Sequence, residues 1–355
     1  MPLRHLMRVL GRDPKDARNL TQEEAYRAFT SVLTGGESEV TIGAFLTALR
    51  WKGVTVEELS GFALAARAQA RMPCRGMEGL VCISPPLDGQ DQHPPLEVAA
   101  GIIAAGAGAR ILILSDRCVP PRRGLTSANV LEELGLSMTW DPSEAEDWVA
   151  KARFAAVSVS GILPAFLNLR RVRGDVILRT PLSTVEKLLA PAGSAVVLGA
   201  QGGPVLGTAV EVIQSLGHPR GIALQGMDGG VIPSVRKRTR GIELCEGHLV
   251  PLAVEPQDFG LECESEPELP MFGPPEEGYG ASDNPALVQQ AGLDVAAVLN
   301  GAPGPARAAA LLSAGIMLKA GGQVLSLADG VGAATAALED GSAGNILERA
   351  RALMQ

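Results

Sequence analysis

From Gly79 onward, short apolar runs alternate with amphipathic segments, and this alternation limits the possible fold more than any other feature of the chain. The runs are too short for helices and are typical of buried parallel strands. They are Leu80 to Ile83, Arg110 to Leu114, Ala155 to Val159, Ala195 to Leu198 and Ile222 to Leu224. The helices expected between them include Leu96 to Ala107, Thr126 to Leu134 and Gly207 to Leu216. We therefore predict an α/β domain with a mostly parallel sheet flanked by helices.

The stretch from Arg110 to Gly135 is the clearest strand, loop and helix unit in this domain. Its loop carries Arg122 and Arg123, and Thr126 or Ser127 can cap the helix that follows. Ligands in open α/β sheets bind at the carboxyl ends of strands. We therefore expect this loop to border a binding site.

The first 70 residues predict a small helical domain. Thr21 with Glu24, and Thr55 with Glu58, have the spacing of capping boxes, and each pair precedes residues with helical apolar periodicity. The apolar faces of so small a domain need a covering surface. Because closed two-fold dimers are the commonest oligomers, we expect a homodimer through these N-terminal helices.

Composition excludes several classes of protein. The chain has 39 Asp and Glu against 31 Lys and Arg, a net charge of -8, which argues against a uniformly basic nucleic-acid coat. The odd number of cysteines, 5, favours reduced thiols over a disulfide framework. No apolar signal core or membrane-spanning run occurs, so we expect a cytoplasmic protein without a membrane anchor.

The region between Gly241 and Pro270 contains eight carboxylates and no Lys or Arg, and the Pro- and Gly-rich string FGPPEEGYG follows it. This composition predicts a solvated excursion or linker. Beyond it, Ala306 to Lys319 and Leu327 to Leu338 predict a closing helical pair rich in alanine.

Three strings in this order resemble one known family, that of anthranilate phosphoribosyltransferase, or glycosyltransferase family 3. They are AFLTALRWKGVTVEEL, SANVLEELG and GPARAAALLSAGIMLKAGGQVLSLADGVGAATAAL. The resemblance implies a helical dimerisation domain over 1–74 and an α/β domain over 75–355. The segment 163–190 would cross back to the helical domain, and a nucleotide-sugar cleft would lie between the two domains.

The family displaces pyrophosphate from phosphoribosyl pyrophosphate, and the resemblance implies a glycine loop for pyrophosphate and carboxylates for Mg²⁺. At the glycine loop, GTGGD in relatives, this chain has Ser84, Pro85, Pro86, Leu87, Asp88 and Gly89. The KHGNR motif reads SDRCV, from Ser115 to Val119. The Asp-Glu pair that holds metal is replaced by Val231 and Ile232 after a retained Asp228, and neither replacement can bind Mg²⁺.

The acceptor site is also altered relative to the family. Arg173 matches an arginine that faces the anthranilate carboxylate in relatives, and Arg179 and Thr180 match as well. The preceding histidine, methionine and lysine of the family are Leu163, Phe166 and Leu167 here. We therefore expect a degraded phosphoribosyl site, without assigned catalytic or metal-binding residues and without ordinary anthranilate phosphoribosyltransferase activity.

Basic residues have replaced the catalytic groups. Residues 110–240 contain 16 Lys and Arg against 11 Asp and Glu, a local +5, which leaves -13 on the remaining residues. If the loops that carry these Lys and Arg residues meet at the mouth of the cleft, the basic side chains form a groove suited to a polyanion. The prolines of the loop also resemble a divergent, nucleic-acid-binding branch of the family. Our first hypothesis is therefore non-specific binding of DNA or RNA through Arg117, Arg122, Arg123, Arg170, Arg171, Arg173, Arg236, Lys237, Arg238 and Arg240.

Two alternatives remain open. The first is an enzyme that transfers a phosphoribosyl or related glycosyl group to an aromatic or nitrogenous acceptor through a rewired site, with Mg²⁺ only in that case. The second is a non-catalytic regulatory partner that uses the acidic stretch from Glu243 to Glu268 as its contact surface. The run GAQGGPVLGTA from Gly199 could hold a phosphate at a helix start, although tight packing explains its glycines equally well.

Overall fold

Two of the N-terminal helices begin with the capping boxes that the sequence predicts. In the computed structural model, which describes residues 3–11, 18–271 and 279–354, Thr21 and Thr55 each cap a helix and receive the reciprocal bond from Glu24 and Glu58. The N-terminal helices are Leu3–Gly11 (α1), Gln22–Leu33 (α2), Glu39–Lys52 (α3) and Val56–Gln69 (α4). Phe29, Phe45 and Phe62 are fully buried between them, which gives these helices a core of their own.

The α/β domain is built on a 7-stranded sheet with the order β3-β2-β1-β4-β5-β6-β7. The first five strands along the chain are parallel and match the predicted apolar runs. The strands are Leu80–Ser84 (β1), Arg110–Ser115 (β2), Phe154–Ser158 (β3), Ala195–Gly199 (β4), Arg220–Leu224 (β5), Thr239–Cys245 (β6) and His248–Val254 (β7). The predicted fold, a small helical domain with a larger α/β domain, is therefore confirmed.

Helices cover both faces of the sheet, and the predicted helices after β1, β2 and β4 are present as α5, α6 and α12. The closing pair is present as α14 and α15, with a further helix on each side. These helices are Glu97–Gly106 (α5), Ser127–Glu133 (α6), Pro142–Ala152 (α7), Val159–Ile162 (α8), Ala165–Asn168 (α9), Arg170–Val176 (α10), Leu182–Val185 (α11), Pro204–Ser215 (α12), Pro285–Leu299 (α13), Pro305–Ala320 (α14), Leu327–Glu339 (α15) and Ser342–Leu353 (α16).

The prediction that residues 241–270 are a solvated linker is wrong for its first half. β6 and β7 pair antiparallel with each other, and β6 pairs antiparallel with β5, so they extend the sheet by two strands. The carboxylate of Glu243 is buried there and forms an ion pair with Lys319 at 2.9 Å. Residues 272–278 of the string FGPPEEGYG lie outside the described residues.

The segment 163–190 contacts the N-terminal helices. Within it, α10 packs against α3 and α11 packs against α4. Arg67 of α4 donates a hydrogen bond to Leu188 O of this segment at 2.9 Å and another to the ring of His218, which lies outside the segment in the α/β domain. No helix in the described ranges is long and apolar enough to cross a lipid bilayer.

Candidate functional site

The strand order reverses between β1 and β4, and the loops that follow these two strands diverge at the carboxyl edge of the sheet. Such a switch point leaves a crevice where ligands bind in doubly wound folds. The loop after β1 is the one in which prolines stand where family members have glycines. The loop after β4 begins at Gly199 and leads into α12. The two loops, together with the loop after β2, define the candidate site.

The loop after β1 is closed by its own backbone contacts. Gly89 has a φ of +84°, and a Cβ there would lie 2.2 Å from the carbonyl carbon of Gly124, so only glycine fits. Gly124 N donates to Asp88 O at 2.8 Å. Pro85 and Pro86 are buried and have no amide hydrogen to offer a phosphate. The loop is therefore a packed turn with fewer amide donors than a glycine loop would supply.

Asp88 and Arg179 connect this loop to the segment 163–190. The carboxylate of Asp88 is buried and accepts Nε and Nη2 of Arg179 at 2.6 and 2.7 Å. Nearby, Lys187 Nζ donates to Gly199 O at 2.9 Å. Burial lowers the pKa of Lys187 to about 8, although Asp88 raises it in part. A cation that can lose its proton near neutral pH therefore lies at the end of β4.

The positions of the family's metal pair do not fit Mg²⁺ here. Val231 and Ile232 are buried in the apolar core, at 0% and 1% exposure. The retained Asp228 faces the backbone instead, because its Oδ2 accepts the amides of Gln92 and His93 at 3.1 and 3.3 Å. Within the ranges that the structure describes, no three His, Cys, Asp or Glu side chains come together in a metal-binding group. No step of a reaction can therefore be assigned to a metal at this position.

The arginines of the loop after β2 are engaged in ion pairs. Arg122 lies 3.0 Å from Asp91 and also donates to Gly89 O at 2.9 Å. Arg123 makes two bonds of 3.0 Å to the carboxylate of Asp283. Arg117 pairs with Glu132 of α6. These contacts hold the loop in place and offset much of its positive charge.

The arginines of the segment 163–190 are also paired. Arg173 is 5% exposed, forms a buried ion pair with Glu186, and donates to Pro120 O at 2.8 Å. Arg170 lies 3.6 Å from Asp116. Arg171 is exposed and lies 3.6 Å from Glu39 and 3.8 Å from Asp175. Arg173 is thus committed to a carboxylate of its own chain.

The last group of predicted basic residues lies in the loop that begins β6, residues 236–240, here called the basic loop. Arg236, Lys237, Arg238 and Arg240 are all exposed. Arg238 pairs with Glu255, whereas the other three form no ion pair with any residue that the structure describes. Three of the four line a pocket of about 370 Å³.

A larger cleft of about 1310 Å³ opens beside the loop after β2. Its lining includes Arg122, Arg123, Ile177 and Tyr279. Ile177 is 70% exposed and has a φ of +64°, which is unfavourable for a β-branched residue. The cleft thus offers an apolar contact beside two arginines that are already paired.

Sequence reasoning missed Glu97, Glu186 and Lys187. Glu97 begins α5 and is fully buried, and its carboxylate accepts Ser127 Oγ at 2.7 Å and Gln90 Nε2 at 3.3 Å. Burial raises the pKa of Glu97, and the bonds from Ser127 and Gln90 offset only part of that rise. The only sequence signal for these groups was a charged residue next to an apolar run, which is common at exposed helix ends.

Comparison with known proteins places the chain in a family. Residues 9–70 match the glycosyl transferase family, helical bundle domain, and residues 95–344 match the glycosyl transferase family, a/b domain. The anthranilate phosphoribosyltransferase of Methylobacterium radiotolerans is 30% identical over 97% of this chain and 94% of its own length. That of Methanobrevibacter smithii is 28% identical over 94% of this chain and 95% of its own length.

Solved structures agree with this placement. The crystal structure of anthranilate phosphoribosyltransferase from Thermus thermophilus superposes with a TM-score of 0.78, at 26% identity over 95% of this chain and 96% of its own. The enzyme from Saccharomyces cerevisiae in complex with PRPP and Mg has a TM-score of 0.79 at 16% identity, over 99% of this chain and 97% of its own, and shows likeness of fold alone. The chain therefore belongs to the glycosyl transferase family that contains the anthranilate phosphoribosyltransferases, and it has both the helical-bundle and the α/β domain of that family.

Proposed function

We propose that this protein transfers a phosphoribosyl or related glycosyl group to an aromatic or nitrogenous acceptor through a rewired site. The observation that carries the proposal is similarity to anthranilate phosphoribosyltransferases over nearly the whole chain, at up to 30% identity in the relatives described above. This similarity favours the transferase over nucleic-acid binding, the hypothesis that the basic residues of the loops and the resemblance to a nucleic-acid-binding branch had put first.

The reaction would form a bond between a nitrogen of the acceptor and the anomeric carbon of the donor. The bond from that carbon to the diphosphate oxygen breaks, diphosphate leaves with the electron pair, and the acceptor nitrogen releases a proton. Arg179 is the cation proposed to face the donor while it keeps its pair with Asp88, because that pair uses Nε and Nη2 and a quarter of the side chain is exposed beside the loop after β1. Lys187, with a pKa of about 8, lies next to it at the end of β4.

The acceptor is expected to differ from anthranilate. Arg173 would face the carboxylate of anthranilate in a family enzyme, but here its guanidinium is buried against Glu186. Using it for an acceptor would leave the Glu186 carboxylate buried without its partner, which is costly. We therefore expect an acceptor that lacks the carboxylate of anthranilate.

The test is an assay of product formation. The purified protein is incubated with phosphoribosyl pyrophosphate and single aromatic amines, pyridines or nucleobases, and diphosphate and product are measured by mass spectrometry. We expect at least one acceptor to give a product, and Arg179→Met to reduce its formation roughly tenfold or more because a charged hydrogen bond is lost. Arg75→Met, an exposed arginine before β1 at the opposite edge of the sheet, is the matched control. Folded protein that yields no product with any acceptor would overturn the proposal.

Nucleic-acid binding is the second candidate, and the basic loop is the observation that favours it. Arg236, Lys237 and Arg240 are exposed and form no ion pair with the described residues. The candidate predicts that the affinity for a labelled DNA or RNA oligonucleotide falls steeply between about 50 mM and about 200 mM salt, as phosphate contacts require. A flat salt response in a gel-shift series would exclude it.

A homodimer through the N-terminal helices is also part of the proposal. One face of α3 carries Val40 and Trp51, which are 83% and 79% exposed. They are eleven positions apart, which is close to three helical turns, so both lie on the same side of the helix. An exposed apolar face of this kind is typical of a surface that a second subunit covers.

A further inference from the structure

The pocket beside the basic loop is lined with groups that suit phosphate. It has a volume of about 370 Å³, near the lower end for small-molecule sites. Lys237, Arg238 and Arg240 line it together with His93. The two carboxylates in its wall are Asp228 and Glu266.

The basic loop is held in shape by one serine. Ser234 is buried; its Oγ accepts the amides of Arg236 and Lys237, each at 3.1 Å, and donates to Glu266 Oε1 at 2.5 Å. Ser234 N donates to Thr239 Oγ1 at 2.9 Å. The basic loop is therefore preorganised, so its backbone at Lys237 loses little conformational entropy when a ligand binds.

The two wall carboxylates already have donors from the protein. Asp228 Oδ2 accepts two backbone amides, and Glu266 accepts Ser234 Oγ and the amide of Val235 at 3.0 Å. Arg238 is offset by Glu255, which lies outside the pocket lining. Lys237 and Arg240 are left as the cations of the pocket without a carboxylate partner among the described residues.

We propose that this pocket binds a diphosphate group without a metal ion, and that Lys237 and Arg240 supply the positive charge. The pocket belongs to the segment that continues from Val231 and Ile232, where the donor set does not fit Mg²⁺. Charged donors on Lys and Arg bind phosphate oxygens directly. The inference rests on the proposed function in one respect: the transferase reaction is what would make diphosphate the ligand, as the leaving group.

The experiment is isothermal titration of the full-length protein with sodium pyrophosphate, once in EDTA and once with Mg²⁺. We expect the affinity for pyrophosphate in EDTA to be at least as high as the affinity in Mg²⁺. Lys237→Ala and Arg240→Ala are each expected to weaken it roughly tenfold or more. Arg236 belongs to the same loop but does not line the pocket, so the loss in Arg236→Ala must be clearly smaller than in Lys237→Ala. Arg75→Ala is the distant control, and thermal midpoints verify that each variant is folded.

Three results would overturn the inference: no binding of pyrophosphate, binding that requires Mg²⁺, or equal losses in Arg236→Ala and Lys237→Ala. The last result would indicate a diffuse electrostatic surface in place of a pocket. Failure of the diphosphate-pocket inference can be told apart from failure of the transferase proposal. Diphosphate binding without product formation removes the transferase alone, and product formation without diphosphate binding removes the pocket alone.

Discussion

Asp88 and Arg179 form a two-bond ion pair, with Nε and Nη2 of the arginine 2.6 and 2.7 Å from the two carboxylate oxygens. The pair joins the loop after β1 to the segment that contacts the N-terminal helices. Asp88 is 3% exposed, and both hydrogen bonds that its carboxylate accepts from the described residues come from this guanidinium. The Asp88–Arg179 pair therefore affects both the stability of the site and its proposed capacity to bind an anionic donor.

We expect Asp88→Asn to destabilise the fold by about 2 to 4 kcal/mol, because it leaves a largely buried guanidinium without its carboxylate. Urea unfolding measures the change in the free energy of unfolding. A double-mutant cycle with Arg179→Met separates the pair's coupling from the loss of packing. A coupling near zero would contradict the importance given to this contact.

We expect a loss of stability in mild acid from His218. Its ring is buried, its Nε2 faces Arg67, and its Nδ1 lies 2.9 Å from Ser194 O, so the neutral ring donates to that carbonyl. Burial, with a further contribution from Arg67, lowers the pKa of His218 from 6.5 to about 4. Between these values the unfolded chain binds a proton that the folded chain excludes, so stability falls as the pH drops from 6.5 towards 4.

The expected loss from this histidine is about 3 kcal/mol, since one pKa unit corresponds to about 1.4 kcal/mol. Chemical unfolding at a series of pH values measures it. His218→Gln, which keeps a donor and an acceptor, should flatten this part of the profile. An unchanged profile in that variant would assign the acid sensitivity to other groups.

We expect Glu97→Gln to stabilise the protein at pH 7 by about 1 to 2 kcal/mol, because burial penalises the charged form of this carboxyl group and the uncharged amide avoids that penalty. Burial raises the folded pKa of Glu97, so the stability it contributes at low pH is lost as the pH rises through that value. Gln90 Oε1 is buried and has no hydrogen-bond partner among the residues that the structure describes, so a rotated Gln90 amide can accept a hydrogen from the new side chain. Differential scanning calorimetry at pH 7 and pH 4.5 measures the effect. A lower midpoint at pH 7 would show that the carboxylate is needed in its charged form.

We expect Trp51→Glu to convert a homodimer into a monomer, because it places a charge in the exposed apolar face of α3. Light scattering after size exclusion would give twice the 36.8 kDa chain mass for the unmodified protein and a single chain mass for the variant. Trp140→Glu, at a tryptophan that is 50% exposed on the α/β domain, is the matched control and should remain dimeric. A monomeric unmodified protein would refute the dimer.

Local sequence patterns predicted those helices and strands whose own residues carry the pattern. The capping boxes at Thr21 and Thr55 and the apolar runs of β1 to β5 depend on neighbouring residues alone, and each was found where expected. β7 was missed because an exposed edge strand tolerates Pro251, and β6 was missed because Arg240, Gly241 and Glu243 give it the composition of a loop. Their strand character comes from pairing with β5, which a local pattern does not contain.

The sequence by itself determined the fold class and the helical domain, because these follow from residue type and short-range periodicity. Only the tertiary structure decided which arginines remain available to a ligand. Arg179 finds Asp88 across 91 positions and Arg123 finds Asp283 across 160, and each pairing offsets a charge that the sequence shows only as positive. The physical reason is that ion pairs depend on distances of a few ångströms in space, whereas the order of residues along the chain does not fix those distances.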